Sequence, residues 1–404
     1  MGKVTGIRAL MVVLTGLALS VLISQPALAQ TFNVIYSFNT GPIGIFPFAG
    51  VTLDAHGNVY GTNNNYGLGY GTVYKLMYKD GAWMASPLYE FQGGNDGAFP
   101  ASRVVFGPDG SLYGATSAGG GSGCRGQGCG TVFKLMPPAT ICRAVQCPWT
   151  ETVLWRFTGG ADGAVPEYGD IIFDSAGSIY GTTSGNSSNF GSVYKLSKSG
   201  GVWTETTLWA FTGGADGFFP NGGVTFDRSG NLYGTMDTGV FALSPSDDGW
   251  TETVIHTFQI ETEGDSSLAG VIFDIAGNLY GDTFGGGPEE GGTVFEMTPA
   301  GGSWNFQVLY PFNRGNGTVG TGLMFDNAGN LYGVRGSDAQ DDGEVFKLTQ
   351  VDGSWTYTTI HQFSGGNQGA SPYEGVVMDA SGNLWGTASA GGAHNYGMVY
   401  EITP

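Results

Sequence analysis

Hydrophobic and polar positions along this chain alternate in short runs. Between residues 169 and 211, "GDIIFD" is followed by the polar triplet "SAG", then "SIYGTT", a loop, "GSVYKLS", the turn "KSGG" and the alternating "VWTETTLWAF". Runs of about five to nine residues with period two, bounded by Gly-rich connections, predict four strands, and no helical period is sustained. The pattern returns. The glycine of a Tyr-Gly or Trp-Gly pair falls at Gly61, Gly114, Gly181, Gly234, Gly281, Gly333 and Gly386, at spacings of 53, 67, 53, 47, 52 and 53 residues. Seven four-stranded units predict an all-β, seven-bladed β-propeller filling one domain over residues 30–404.

A propeller has to join its ends or leave sheet edges open. Residues 31–38, "TFNVIYSF", match the fourth strand of other units such as "TETVLWRF", whereas the last unit ends at "GMVYEITP" and lacks that strand. Residues 31–38 are therefore expected to complete the final blade beside residues 397–403. The recurring Asp54, Asp174, Asp227, Asp274, Asp326 and Asp379 open Asp-x-x-Gly turns, in which a short carboxylate bonds its own turn amides and Gly takes the positive φ. Spread around a ring, they read as joints rather than as converging ligands.

Composition sharpens this picture at three points. Residues 1–29 carry Lys3 and Arg8, the apolar run Ala9–Ile23 and Ala27-Leu28-Ala29, the order of a secretory signal peptide. No second long apolar stretch follows, so the mature chain is expected to be secreted or periplasmic, without a membrane span. Removal of Lys3 and Arg8 leaves 13 basic against 34 acidic residues, a surface that repels phosphate backbones and excludes nucleic acid as a partner. The four cysteines all fall in the second unit, and a strand of about 20 Å between the two loops that hold them favours local Cys124–Cys129 and Cys142–Cys147 disulfides over crossed ones.

In "GVTFDRSGNLYGTM", "TSAGGGSGCRGQGCGTVFKL" and "GVIFDIAGNLYGDTFGGGPEEGGTVFEM" the chain resembles the GloVer tandem-repeat family of extracytoplasmic bacterial proteins over essentially its whole mature length. That resemblance implies a secreted or surface-exposed repeat protein with no established activity. The "DxxGNLYG" pattern is also similar to that of NHL-type propellers, which implies that "GVTFD" is the innermost strand and "TETVLW" the outermost. With that order, the crossovers "GGNDGAFP", "GGADGAVP", "GGADGFFP" and "GGNQGASP" and the loops between second and third strands share one face.

Candidate chemistry lies on that face. The crossover carboxylates Asp96, Asp162 and Asp216 suggest a divalent cation such as calcium, the one cofactor candidate, yet Gln368 replaces them in one copy and shared turns explain them better. Trp83, Trp149, Trp203, Trp250, Trp304 and Trp355 recur once per unit at the start of the fourth strand and read as blade packing. Residues that break the repeat are more informative: Gly50, Gly223, Gly270, Gly322 and Gly375 precede the inner-strand hydrophobic in five units, whereas Arg103 and Asp170 stand there in the second and third, and Glu374 sits one place earlier in the last. These three charges are expected to share the rim of the central channel. Loop residues Asn64, Tyr66, Glu289, Glu290, Asp338, Asp341, Asp342, His394 and Tyr396 add a polar, aromatic-containing surface suited to a glycan or protein partner. No Ser-His-Asp or metal-ligand spacing stands out. The reading favoured is a binding or interaction propeller, the alternative a carbohydrate-active or lactone-hydrolysing enzyme at the channel mouth with Asp170 and Glu374 as ligands of a metal.

Overall fold

The computed structural model describes residues 30–65, 69–139, 149–314, 322–337 and 341–403; the expected signal peptide at residues 1–29, Tyr66, Asp338 and the expected Cys142–Cys147 pair lie outside them. Seven antiparallel four-stranded blades form a ring. The first blade runs Thr52–Leu53, Val59–Asn63, Thr72–Lys79 and Ala82–Glu90. Blades 2 to 6 repeat it from Val105, Ile172, Val224, Ile272 and Met324. First strands of two or three residues line a central channel, so the order inferred from resemblance, innermost to outermost, is the order observed.

The last blade is completed from the other end of the chain. Thr31–Ser37 pairs antiparallel with Met398–Thr403, from Thr31 opposite Thr403 to Ser37 opposite Met398. Phe32 stacks on His361 of blade 6 at 3.8 Å, and the fully buried Phe38 packs against Tyr74 of blade 1 at 5.1 Å. Added strand and side chains thus tie blade 7 to both neighbours.

Two repeated details explain why this sequence builds this blade. The Tyr-Gly glycine lies opposite a buried ring of the third strand, as Gly61 does opposite Tyr74. A Cβ there would sit 2.3 Å from the Tyr74 hydroxyl, and the same ring or a Phe blocks Gly114, Gly181, Gly234, Gly281, Gly333 and Gly386. Each such ring is among the largest fully buried side chains and contributes about 2–3 kcal/mol of burial. In the inner turn, Asp54 Oδ1 accepts the amides of His56 and Asn58, both at 2.9 Å, while Oδ2 accepts Asn58 Nδ2 at 2.7 Å and Gly57 holds φ +77°. Asp227, Asp274, Asp326 and Asp379 do the same, and Asp174 accepts the Ala176 and Ser178 amides and, in place of an Asn amide, the Tyr180 hydroxyl. These carboxylates are committed to their own turns.

Neighbouring blades are stitched at the opposite end. The threonine after the Tyr-Gly pair donates to the carbonyl ahead of the next inner strand, Thr62 to Ser102, Thr235 to Ala269 and Thr387 to Ala49 at 2.5–3.3 Å. In blade 5 this residue is Asp282, 2 % exposed, with Oδ2 unpartnered among the described residues. Outer-strand tryptophans pack on the preceding blade's tyrosine, Trp149 on Tyr60 at 6.2 Å and Trp355 on Tyr280 at 6.1 Å. In the second blade, Cys124 and Cys129 form a disulfide.

Candidate functional site

The innermost strands enclose a channel of about 340 Å³ whose lining includes Arg103, Tyr168, Asp170 and Glu374. Small residues at the other entry points bring the blades close: a Cβ on Gly169 or Gly222 would lie 2.1 Å or less from the backbone of the following blade. Charges fit only where the sequence breaks the glycine rule. Arg103 Nε donates to Asp170 Oδ2 at 2.8 Å, Nη2 donates to the same oxygen, and Nε lies 3.2 Å from Glu374 Oε1. Glu374 Oε2 accepts the Gly50 amide at 2.6 Å. One guanidinium therefore spans blades 2, 3 and 7, and Glu374 carries the connection to blade 1.

Burial sets the charge state of this cluster. It pulls the Arg103 guanidinium down, but the facing Asp170 and Glu374 carboxylates more than reverse that and hold it charged. It pushes the Glu374 carboxyl up, Asp170 pushes in the same direction, and Arg103 and the Gly50 amide offset only part of this. With one cation between two carboxylates, the second proton is the easier one to keep. Asp170 and Glu374 both face Arg103, and among the described residues no group of three or more His, Cys, Asp or Glu is placed to hold a metal ion.

Above the cluster runs a chain of aromatic rings that sequence reasoning missed. Tyr396 meets Phe46 at 5.9 Å, Phe46 meets Phe48 at 6.4 Å, Phe48 meets Tyr373 at 6.0 Å and Tyr373 meets Tyr168 at 6.1 Å. Phe48 is 36 % exposed. The crossovers aim these rings: Phe46 and Tyr168 hold φ near +61°, and the Phe46 amide donates to the Tyr396 carbonyl at 3.0 Å. Tyr70 with Phe99, and Phe190 with Phe219, repeat the rim pair at two other junctions, each at 6.3 Å. A usable signal was present, since an aromatic residue follows the crossover proline in "FPF" and "SPY" where other units have "FPA" and "FPN".

Of the loop residues singled out in the sequence, Tyr396 belongs to this chain of rings, whereas His394 is exposed and forms no part of the charged cluster. Glu290 pairs with Arg314 at 3.0 Å and Asp341 with Arg335 at 2.9 Å. The crossover aspartates brace their own loops, Asp96 accepting the Gln92 and Gly97 amides at 2.8 Å and Asp162 the Thr158 amide at 2.9 Å.

Buried carboxyls give the fold a pH dependence with a definite sign. Burial pushes Glu167, Asp282, Glu151 and Glu252 up to about 7, with Asp96 adding to the effect on Glu151 and Asp216 to that on Glu252. A raised carboxyl stabilises the fold fully below its unfolded pKa, about 4, and loses that contribution as pH climbs to 7 and beyond. At Asp54, Asp174, Asp326 and Asp379 burial also pulls upward, but bonds from the turn outweigh it and hold them low. Their contribution is present above pH 4 and lost below it. Thermal melts should therefore give a maximum near pH 5, with a decrease of roughly 5 °C by pH 8; a flat profile from pH 5 to 8 would contradict these assignments.

Residues 23–240 and 237–404 match the model of a family described as the Gloeobacter/Verrucomicrobia repeat. No curated protein matches the sequence. Among solved structures, the extracellular domain of a protein described as a hybrid two-component system from B. thetaiotaomicron is similar over 93% of this chain and 42% of its own, with 10% identity and TM-score 0.54. A polysaccharide lyase is similar over 94% of both chains, with 12% identity and TM-score 0.50. A Lactobacillus plantarum protein covers 77% of this chain and 83% of its own, with 12% identity and TM-score 0.50. At such identities the likeness is one of fold.

Proposed function

The chain belongs to the Gloeobacter/Verrucomicrobia repeat family, and on that premise we propose that it is an extracytoplasmic propeller that binds carbohydrate at the aromatic-lined mouth of its channel. The observation that carries this reading is the run of five rings, Tyr396, Phe46, Phe48, Tyr373 and Tyr168, leading from the rim to the charged cluster. A sugar ring presents an apolar face to an aromatic side chain and hydroxyls to the polar groups around it, and a concave site with rings and a few fixed polar groups suits it. Charge selects within that class. The single cation at the mouth, Arg103, is already engaged by Asp170 and Glu374, and the whole chain carries net charge −19. A neutral glycan is favoured over a uronate-rich one on that ground. Among the described residues no helix is long and apolar enough to cross a membrane. The Cys124–Cys129 disulfide supports an oxidising location.

The test is a glycan array followed by calorimetry on the best neutral oligosaccharide. Losing both stacked rings in the Tyr168→Ala, Tyr373→Ala double variant removes about 1–3 kcal/mol of contact, or roughly 10- to 100-fold in affinity. Unchanged affinity, or binding confined to polyanions, would overturn the proposal. Turnover of a lactone or oligosaccharide that disappears when Arg103, Asp170 and Glu374 are replaced together would transfer the site to catalysis.

A further inference from the structure

On the opposite face, where the Asp-x-x-Gly turns lie, the second-strand aromatic of each blade faces one residue of the third strand. That residue is Lys75 opposite Tyr60, Lys134 opposite Tyr113, Lys195 opposite Tyr180 and Lys347 opposite Tyr332. In all four the ammonium sits over the ring, 5.0–5.5 Å from its centroid. Two of these lysines also reach the turn carboxylate of their own blade, Lys134 at Asp109 and Lys195 at Asp174, the latter at 3.6 Å. The repeat thus builds, four times over, a tyrosine face that seats a primary ammonium, and in two of the four the turn aspartate closes the seat. Blades 5 and 7 place Glu296 and Glu401 opposite Tyr280 and Trp385.

Blade 4 keeps the seat and lacks the lysine. Ala242 stands opposite Tyr233, and the turn aspartate, Asp227, is retained close enough to add to burial in pushing the Tyr233 hydroxyl pKa up. A groove of about 420 Å³ opens beside them, walled by Tyr233, Phe273 and Trp304 and bordered by Asp227, Asp274 and Arg228. Its rings are ordered against each other, Tyr233 lying 5.2 Å from Phe273 and 5.9 Å from Trp304. Arg228 is turned to the neighbouring turn, where Nη2 donates to the Ile275 carbonyl at 3.1 Å. The two carboxylates leave the groove net negative, and each is already satisfied by its own turn amides.

We propose that this groove between blades 4 and 5 binds a primary alkylammonium group, the head of a lysine side chain being the form its depth and aromatic walls suit. The incoming cation takes the place that the chain's own lysine fills in blades 1, 2, 3 and 6. Its methylene stem lies along Trp304 and Phe273, and its charge meets the Tyr233 face and the Asp227 carboxylate. The site is independent of the glycan-binding mouth, which is at the other end of the strands.

The experiment is calorimetric titration of the mature protein with Nα-acetyl-lysine N-methylamide, with putrescine, and with Nα-acetyl-norleucine N-methylamide as the uncharged control. Saturable binding of the lysine derivative or of putrescine, at least about 10-fold tighter than norleucine, is expected, and the tighter of the two amines identifies the natural source. Ala242→Lys supplies the intramolecular lysine found in the sister blades and should abolish binding. Asp227→Asn, whose remaining oxygen can still accept the two turn amides but which loses the bond from Asn231 Nδ2, should weaken it about 5-fold or more while lowering the melting temperature by only about 2–4 °C, so the test survives if the lysine variant folds poorly. No saturable binding, equal binding of norleucine, or unchanged affinity in both variants would overturn the proposal.

Discussion

Deleting residues 31–38 is expected to lower the melting temperature by roughly 10–15 °C. The segment supplies the outermost strand of blade 7 and two aromatic anchors. Burial of Phe38 and of much of Phe32 contributes about 2–3 kcal/mol each, and each ladder hydrogen bond adds about 1 kcal/mol net. A loss of about 5–8 kcal/mol follows, at roughly 2 °C per kcal/mol for a chain of this size. The damage also has a direction. Without Phe38 the Tyr74 ring of blade 1 loses a contact, and without Phe32 His361 of blade 6 loses its stacking partner. Met398–Thr403 becomes a free sheet edge, which favours association through strand pairing. Calorimetry together with light scattering reads both consequences. A deletion variant that melts with the full-length protein would show that the ring does not depend on this closure.

How far the sequence showed this architecture depends on whether a feature is local and repeated. The six Tyr-Gly pairs, the one Trp-Gly pair and the Asp-x-x-Gly turns recur within a few residues of one another in unit after unit, and the last unit visibly lacks its fourth strand, so a pattern sufficed to order the blades and to close them. Arg103, Asp170 and Glu374 were legible for the opposite reason: they interrupt a glycine column. Their mutual geometry was not. That one guanidinium meets both carboxylates while Glu374 reaches Gly50 follows from how the inner strand ends converge across the ring. Strand order came from family resemblance, since the pairing of four strands in one blade is compatible with either edge facing inward.

The aromatic mouth was illegible at Phe46, Phe99 and Phe219 because bulky residues rarely hold a positive φ, and these do so at φ values from 53° to 61°. A crossover ended by Pro reads as a turn, and nothing in local propensity says that it turns a ring outward. Tyr168 and Tyr373 come from blades far apart in sequence, so only the closed ring puts them side by side. Ala242 was equally silent. An alanine in a strand carries no signal until its register against Tyr233 is set beside that of the lysines in four sister blades.

The Arg103→Met variant is expected to be destabilised by about 2–3 kcal/mol at pH 8, and much less at pH 5. Removing one partner of a buried ion cluster leaves uncompensated charge and costs about 3–5 kcal/mol; the partial exposure of Arg103 and Asp170, at 28% and 21% of their side chains, places this case below that range. The pH term follows from Glu374, whose carboxyl is pushed up by burial and by Asp170 and is held down only by Arg103 and the Gly50 amide. Without the guanidinium it moves further up, so the penalty is largest where Glu374 would otherwise be ionised and fades as pH falls and the proton returns. Adding Glu374→Gln to Arg103→Met should recover most of the loss at pH 8 and little at pH 5, because the amide keeps an oxygen for the Gly50 N–H and removes the charge. An equal loss at both pH values would mean that Arg103 acts through packing. A loss at pH 8 rescued by the second substitution would show that the centre of the ring is held by the proton-sensitive Glu374 carboxyl, which Arg103 keeps in place and which links the last repeat to the first through the Gly50 amide.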